Sequence, residues 1–128
     1  MPGRVAGLHH VQLAMPPGGE EDAVRFYQGL LGITRVAKPP RLARAGAWFE
    51  SGELRVHLGV EPSFSPAKKA HPGLLVTELE ELVARLTAAG VYVVWDNSLE
   101  GFRRVFVDDP FGNRIELMER TPCSSRRA

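Results

Sequence analysis

Cysteine is nearly absent: Cys123 is the single one among 128 residues, so no disulfide can form within the chain, and nothing points to an oxidising compartment. No window approaches the roughly 20 consecutive apolar residues of a membrane span, and the N-terminus has no charged segment leading into an apolar run. A membrane is therefore not an expected partner, and the cytoplasm is the expected location. An excess of one charge sign is missing too. Lys and Arg number 16 against 15 Asp and Glu, a formal net charge of +1, and no basic stripe interleaved with aromatics runs along the chain, which argues against nucleic acid as a partner. What is present is ordinary: 44% hydrophobic and 24% charged residues are the proportions of a soluble globular domain. A chain of this length can bury one core without staples.

Residues 8 to 15 read as a strand, because Val11, Leu13 and Met15 alternate with His10, Gln12 and Ala14. Beyond the Pro16-Pro17-Gly18-Gly19 turn, Glu20, Glu21 and Asp22 open a helix with Ala23, Phe26, Tyr27, Leu30 and Leu31 at helical spacing, and Gly32 ends it. Three short strands fit between 33 and 60, the last from Leu54 to Val60. A connector over 61–69 carries no periodic signal. The order then starts again. His71 to Val76 is strand-like; Thr77 and Glu80 form a possible capping box before Leu79, Leu82, Val83 and Leu86 at helical spacing; Gly90 closes that helix. Strands follow near 91–95, 104–107 and 114–118, the last two joined by an Asp109-Pro110-Phe111-Gly112-Asn113 turn. The sequence thus predicts an α+β domain over 1–128, built of two paired β-α-β-β-β modules at 6–60 and 70–119. A polar tail, 120–128, is expected to lack fixed structure.

The halves match in detail as well as in order. His10 precedes Leu13 and Met15 as His71 precedes Leu74 and Val76, and Arg55-Val56-His57-Leu58 mirrors Arg114-Ile115-Glu116-Leu117. The separations His10 to His57 and His71 to Glu116 are 47 and 45 residues. Strand alternation gives each module an apolar face for its helix and an opposite face free to line a cavity. His10, His57, His71 and Glu116 all fall on the non-helix face. A lone histidine is more often a hydrogen-bonded strand residue than a ligand, but four coordinating residues at equivalent places in a repeat point to a metal site. His9 has the parity of Val11 and Leu13 and is expected in the core or at its edge. Imidazoles plus one carboxylate suit Zn, Ni, Mn, Co or Fe and disfavour calcium. Gln12, Arg55, Arg104, Phe106 and Arg114 have parity compatible with the cavity and are candidate substrate contacts, an arginine being able to clamp a carboxylate or phosphate.

These segments, His10-Val11-Gln12-Leu13, the His71 strand and Asp109 through Leu117, resemble the signatures of the vicinal oxygen chelate superfamily of glyoxalases, fosfomycin- and bleomycin-resistance proteins and extradiol dioxygenases. The resemblance spans residues 6 to 119. It implies paired modules curled into an open mixed sheet around a divalent metal, with helices outside. It also implies that His10, His71 and Glu116 are the two-histidine, one-glutamate ligand set, with His57 where glyoxalase I carries a fourth, usually carboxylate, ligand. Small members commonly form homodimers with sites built by both chains, which would set His10 and His57 of one chain against His71 and Glu116 of the other. The implied activity is metal-dependent chemistry on a small substrate that chelates through neighbouring oxygens, as in a glyoxalase-like lyase or isomerase or a related transferase, with Glu116 as catalytic base. Two alternatives stay open: an extradiol-type ring-cleavage dioxygenase, and a non-catalytic drug-binding protein of the bleomycin-resistance kind. Asp96 stands where fosfomycin-modifying members have a lysine, which makes an anionic phosphonate a poorer substrate.

Overall fold

A computed structural model of the protein describes residues 2–122. Strand β1 (Val11–Met15) leads to helix α1 (Glu20–Ala23), which winds on without a break as a π-helical stretch, Val24–Leu30. Strands β2 (Thr34–Val36), β3 (Ala47–Ser51) and β4 (Leu54–Val60) complete the first module. The second contains β5 (Gly73–Leu75), α2 (Leu79–Ala88), β6 (Val94–Trp95), β7 (Phe102–Asp108) and β8 (Arg114–Arg120). Each module forms its own four-stranded mixed sheet, ordered β1-β4-β3-β2 and β5-β8-β7-β6. In both, the first strand lies parallel to the last and the remaining pairs are antiparallel. The α+β class and the duplicated order are those the repeat predicts, and neither sheet closes into a barrel.

Period-two alternation explains how the two sheets share one core. Leu13 and Met15 of β1, Val56 and Leu58 of β4, Val105 and Val107 of β7, and Ile115 and Leu117 of β8 are buried together with Phe26, Tyr27, Leu79, Leu82 and Leu86 from the helices. Each large aliphatic or aromatic side chain buried this way contributes about 1.5–3 kcal/mol. A polar network ties the modules across this core. The Tyr27 hydroxyl donates to Asp109 Oδ2 at 2.7 Å; Asp109 Oδ1 accepts the backbone N–H groups of Phe111 and Asn113; Asn113 Nδ2 donates to the Ala14 carbonyl at 2.8 Å. Burial of Tyr27, followed by the adjacent Asp109, raises its pKa well above the ordinary tyrosine value.

Three local expectations are corrected. The first strand begins at Val11, where pairing with Val56 begins, so His9 lies outside the ladder that would enforce alternation and is exposed rather than on the core side. The strand expected from His71 begins at Gly73. The Thr77–Glu80 capping box does not form: Glu78 is the N-cap, at φ 56° and ψ 54°, and no side chain caps it. Tertiary partners have taken the capping groups, since Glu80 pairs with Arg103 and the Glu78 N–H donates to Glu119 Oε2 at 3.0 Å. The tail beyond residue 122 lies outside the described residues.

Candidate functional site

The parallel pairing of β5 with β8 sets Gly73 beside Glu116, and His71 lies two residues before the start of β5. The His71 Nδ1 proton is donated to the Lys69 carbonyl at 2.8 Å, which directs Nε2 at Glu116 Oε1, 2.9 Å away. The other carboxylate oxygen, Oε2, accepts from Arg104 Nη1 at 2.8 Å. Arg104 reaches it from β7, and its second amino group faces Asp96 Oδ2 at 3.4 Å. Glu116 is only 8% exposed. Burial alone would raise its pKa, but the hydrogen bonds and charges of Arg104 and His71 outweigh that and hold it below the ordinary glutamate value.

The first module repeats this register. Gln12 pairs with His57 as Gly73 pairs with Glu116, and His10 precedes Gln12 as His71 precedes Gly73. His57 is sandwiched between two rings, with Trp48 at 3.8 Å and 3° on one side and His10 at 4.3 Å and 19° on the other. The residue is 3% exposed, and its Nε2 is buried without a hydrogen-bond partner. Burial, then the neighbouring His10, lowers its pKa below the ordinary histidine value. Such an orphaned nitrogen is costly unless something fills its lone pair.

The four donors therefore come as two pairs, one per sheet, and no group of three or more metal-ligating side chains assembles among the described residues of one chain. The second pair has the spacing that a divalent metal requires. Two donors about 2.1 Å from a common ion and at right angles to it stand about 3 Å apart, which is the spacing of His71 Nε2 and Glu116 Oε1. The carbonyl on His71 Nδ1 is the usual device for presenting Nε2 to a metal; in the first pair the His10 and His57 rings lie face to face, so both would have to turn before their nitrogens could meet one ion.

The candidate substrate contacts separate into distinct environments. Arg104 is spent on Glu116. Among the described residues Arg55 donates to the Glu53 carbonyl, at 3.4 Å, and Gln12 lies exposed across Gly59. Phe106 and Arg114 stack, the guanidinium 4.1 Å from the ring centroid, and both line a cavity of about 990 Å³ walled by Phe26, Leu30, Val91 and Tyr92. Phe106 also meets the His71 ring edge to face at 5.7 Å, but neither His71 nor Glu116 lines the cavity. Sequence reasoning missed Trp48. Its signal was available in the repeat, because Trp48 pairs with His57 as Phe106 pairs with Glu116.

A sequence profile of the Glyoxalase/Bleomycin resistance protein/Dioxygenase superfamily matches residues 7–117. No curated protein matches the chain by sequence. Among solved structures, a glyoxalase family protein from Bacillus anthracis is 42% identical, with 94% of this chain and 100% of that one covered and a TM-score of 0.89. The fosfomycin resistance protein FosX from Listeria monocytogenes, solved with Mn(II) and 1S,2S-dihydroxypropylphosphonic acid, is 18% identical over 98% of this chain and 100% of its own, with a TM-score of 0.76. TnmS3, an antibiotic binding protein from a Streptomyces species, is 21% identical over 92% and 100%, with a TM-score of 0.71. The last two share the fold with this chain.

Proposed function

Because the chain belongs to the glyoxalase/bleomycin resistance protein/dioxygenase superfamily, we propose that it is a divalent-metal-dependent enzyme of the glyoxalase-like lyase, isomerase or transferase type. Its substrate is a small molecule with neighbouring oxygens, and it works as a homodimer in which His10 and His57 of one chain complete a site with His71 and Glu116 of the other. The observation that carries this reading is the equivalence of the two half-sites. Each supplies two donors at the same register of the repeat, and neither is a full ligand set alone.

Edge strands support the assembly. β1 and β5 each have a strand neighbour on one side only, which leaves backbone donors and acceptors on the other edge, although the Ala14 carbonyl of β1 is taken by Asn113. These are the strands that His10 and His71 lead into. Val5 and Leu8, just ahead of β1, are 91% and 86% exposed in the single chain, apolar surface of the kind a partner covers. Joining β1 of one copy to β5 of another brings unlike half-sites onto one continuous sheet.

A bound transition metal supplies Lewis acidity, polarising a carbonyl or hydroxyl oxygen of the substrate. The chain's own residues do the rest. Glu116 is the carboxylate placed to act as base toward a proton on carbon beside a carbonyl, and the Arg104 bond to Oε2 favours its ionised form. Arg114, free of any carboxylate within ion-pair distance among the described residues, clamps an anionic substituent, and Phe106 forms the floor against which an apolar part lies.

The size and apolar walls of the cavity favour one second reading, in which the protein sequesters a drug-like molecule without turning it over, the role that TnmS3 carries in its name. Metal analysis of protein purified without added metal separates the two. Near-stoichiometric Zn, Ni, Mn, Co or Fe supports the enzyme, and metal-free protein that binds an antibiotic supports sequestration. Oxygen uptake with catechols would instead identify a ring-cleaving dioxygenase.

A further inference from the structure

Arginine normally grips a carboxylate with two parallel N–H bonds that consume both oxygens. Arg104 does not. Its Nη1 takes Glu116 Oε2 alone, at 2.8 Å, and its Nε stays buried without a partner, while Oε1 is left to His71 Nε2. The guanidinium is held in this one-handed pose from three sides. Asp96 Oδ2 and Ser98 Oγ lie 3.4 Å and 3.5 Å from Nη2, and the Phe106 ring centroid is 5.1 Å from its central carbon. Asp96 is in turn fixed by Ser98, whose backbone N–H and hydroxyl both donate to Asp96 Oδ1.

The first module lacks this arginine. In β7, Arg104 lies two residues before Phe106, the partner of Glu116; in the first module, Gly46 lies two residues before Trp48, the partner of His57. Strand β3 therefore has no counterpart of Arg104, and the cation at that place is Lys38, whose Nζ lies 3.5 Å from where a Gly46 side chain would begin and which donates to the Ala45 carbonyl, with no hydrogen bond to His57.

We infer that Arg104 is a positioning residue that fixes the Glu116 carboxylate for one-oxygen coordination, reserving Oε1 for the metal, with Asp96 and Ser98 as the brace behind it. This inference rests on the metal-site reading above. It also reassigns Arg104, which sequence parity makes a substrate contact, to the support of a ligand. Two opposite effects are possible on removing it. If Arg104 acted only as a nearby positive charge, its loss would tighten cation binding; if it acts by holding the carboxylate, its loss weakens binding by about 10–100-fold, as for other groups that orient metal ligands.

The test is titration of Mn(II) into the dialysed full-length protein by calorimetry, for wild type, Arg104→Ala, Arg104→Lys and Asp96→Asn. The inference expects the dissociation constant to rise about 10–100-fold in Arg104→Ala, to recover in part in Arg104→Lys, and to rise less in Asp96→Asn. An unchanged or tighter constant in Arg104→Ala overturns it. A second readout needs no metal. In the metal-free protein the imidazole nitrogen resonance of His71 is expected to move in Arg104→Ala and to stay in place in Arg103→Ala, whose side chain pairs with Glu80 instead. If wild type binds no Mn(II), the metal-site reading fails for that ion, and the His71 resonance still decides the role of Arg104: no movement refutes it.

Discussion

The Tyr27 hydroxyl and Asp109 Oδ2 are 2.7 Å apart and 82 residues distant in sequence. This bond joins the first module's helix to the turn between β7 and β8, and Asn113 extends it to the Ala14 carbonyl at the end of β1. Each partner is buried, so a lost bond is not replaced by water. Tyr27→Phe is expected to destabilise the fold by about 1–3 kcal/mol. Urea unfolding checks this, and a shift of the midpoint with an unchanged slope is the expected form.

Gly46 sits at φ 92°, and a Cβ there would press into the Leu58 carbonyl oxygen inside van der Waals contact. Backbone cannot step aside as a flexible side chain can. Gly46→Ala therefore combines a left-handed backbone with a clash at the start of β3, and a loss of about 1–3 kcal/mol or more is expected in thermal unfolding. Gly18→Ala, also at positive φ but with open space around it, isolates the conformational part and is expected to cost less.

Much of this arrangement was legible in the sequence. The duplicated order and the buried positions of β4 and β8 follow from alternation and from the repeat, and the shared placement of the His10/His57 and His71/Glu116 pairs follows from the repeat alone, since His10 and His71 precede their ladders. Alternation failed at His9, because parity has meaning only where a ladder holds the strand, and β1 begins at Val11. Local capping failed at Thr77 because Arg103 and Glu119 are distant in sequence. The π-helical winding of Val24–Leu30 leaves no mark in side-chain spacing. Arg104 and Asp96 were visible as charged residues, but which carboxylate an arginine meets is a three-dimensional fact.

The exposure of His9 changes what its removal should do. His9→Ala is expected to alter stability by no more than about 0.5 kcal/mol, as for other surface substitutions. By contrast, His71→Ala or Glu116→Ala is expected to bring the metal content of dialysed protein close to background. Elemental analysis beside thermal melts measures both quantities on the same samples, and a His9 variant that loses metal as fully as the other two would contradict the ligand assignment.

Acidification tests the first half-site. Burial, with His10 nearby, places the His57 pKa below the ordinary value of about 6.5. Between that value and the lowered one, the unfolded chain takes up a proton at this position and the folded chain does not, so stability is lost as pH falls through that interval. Above it, His57 contributes no pH dependence. Metal-free wild type is expected to lose more stability between pH values of about 7.5 and 5.5 than His57→Gln does; equal losses would show that His57 is not held neutral by the fold.

The most direct test of the shared metal site is subunit complementation. One chain carries His10→Ala with His57→Ala and the other His71→Ala with Glu116→Ala, so each alone can form only sites with two donors. Co-expression in equal amounts is expected to restore tight transition-metal binding to about a quarter of all sites, since half of randomly assembled dimers are mixed and each mixed dimer has one complete site. If neither wild type nor the mixed sample binds metal, or if wild type does and mixing restores none, the two half-sites do not meet around one ion across the dimer.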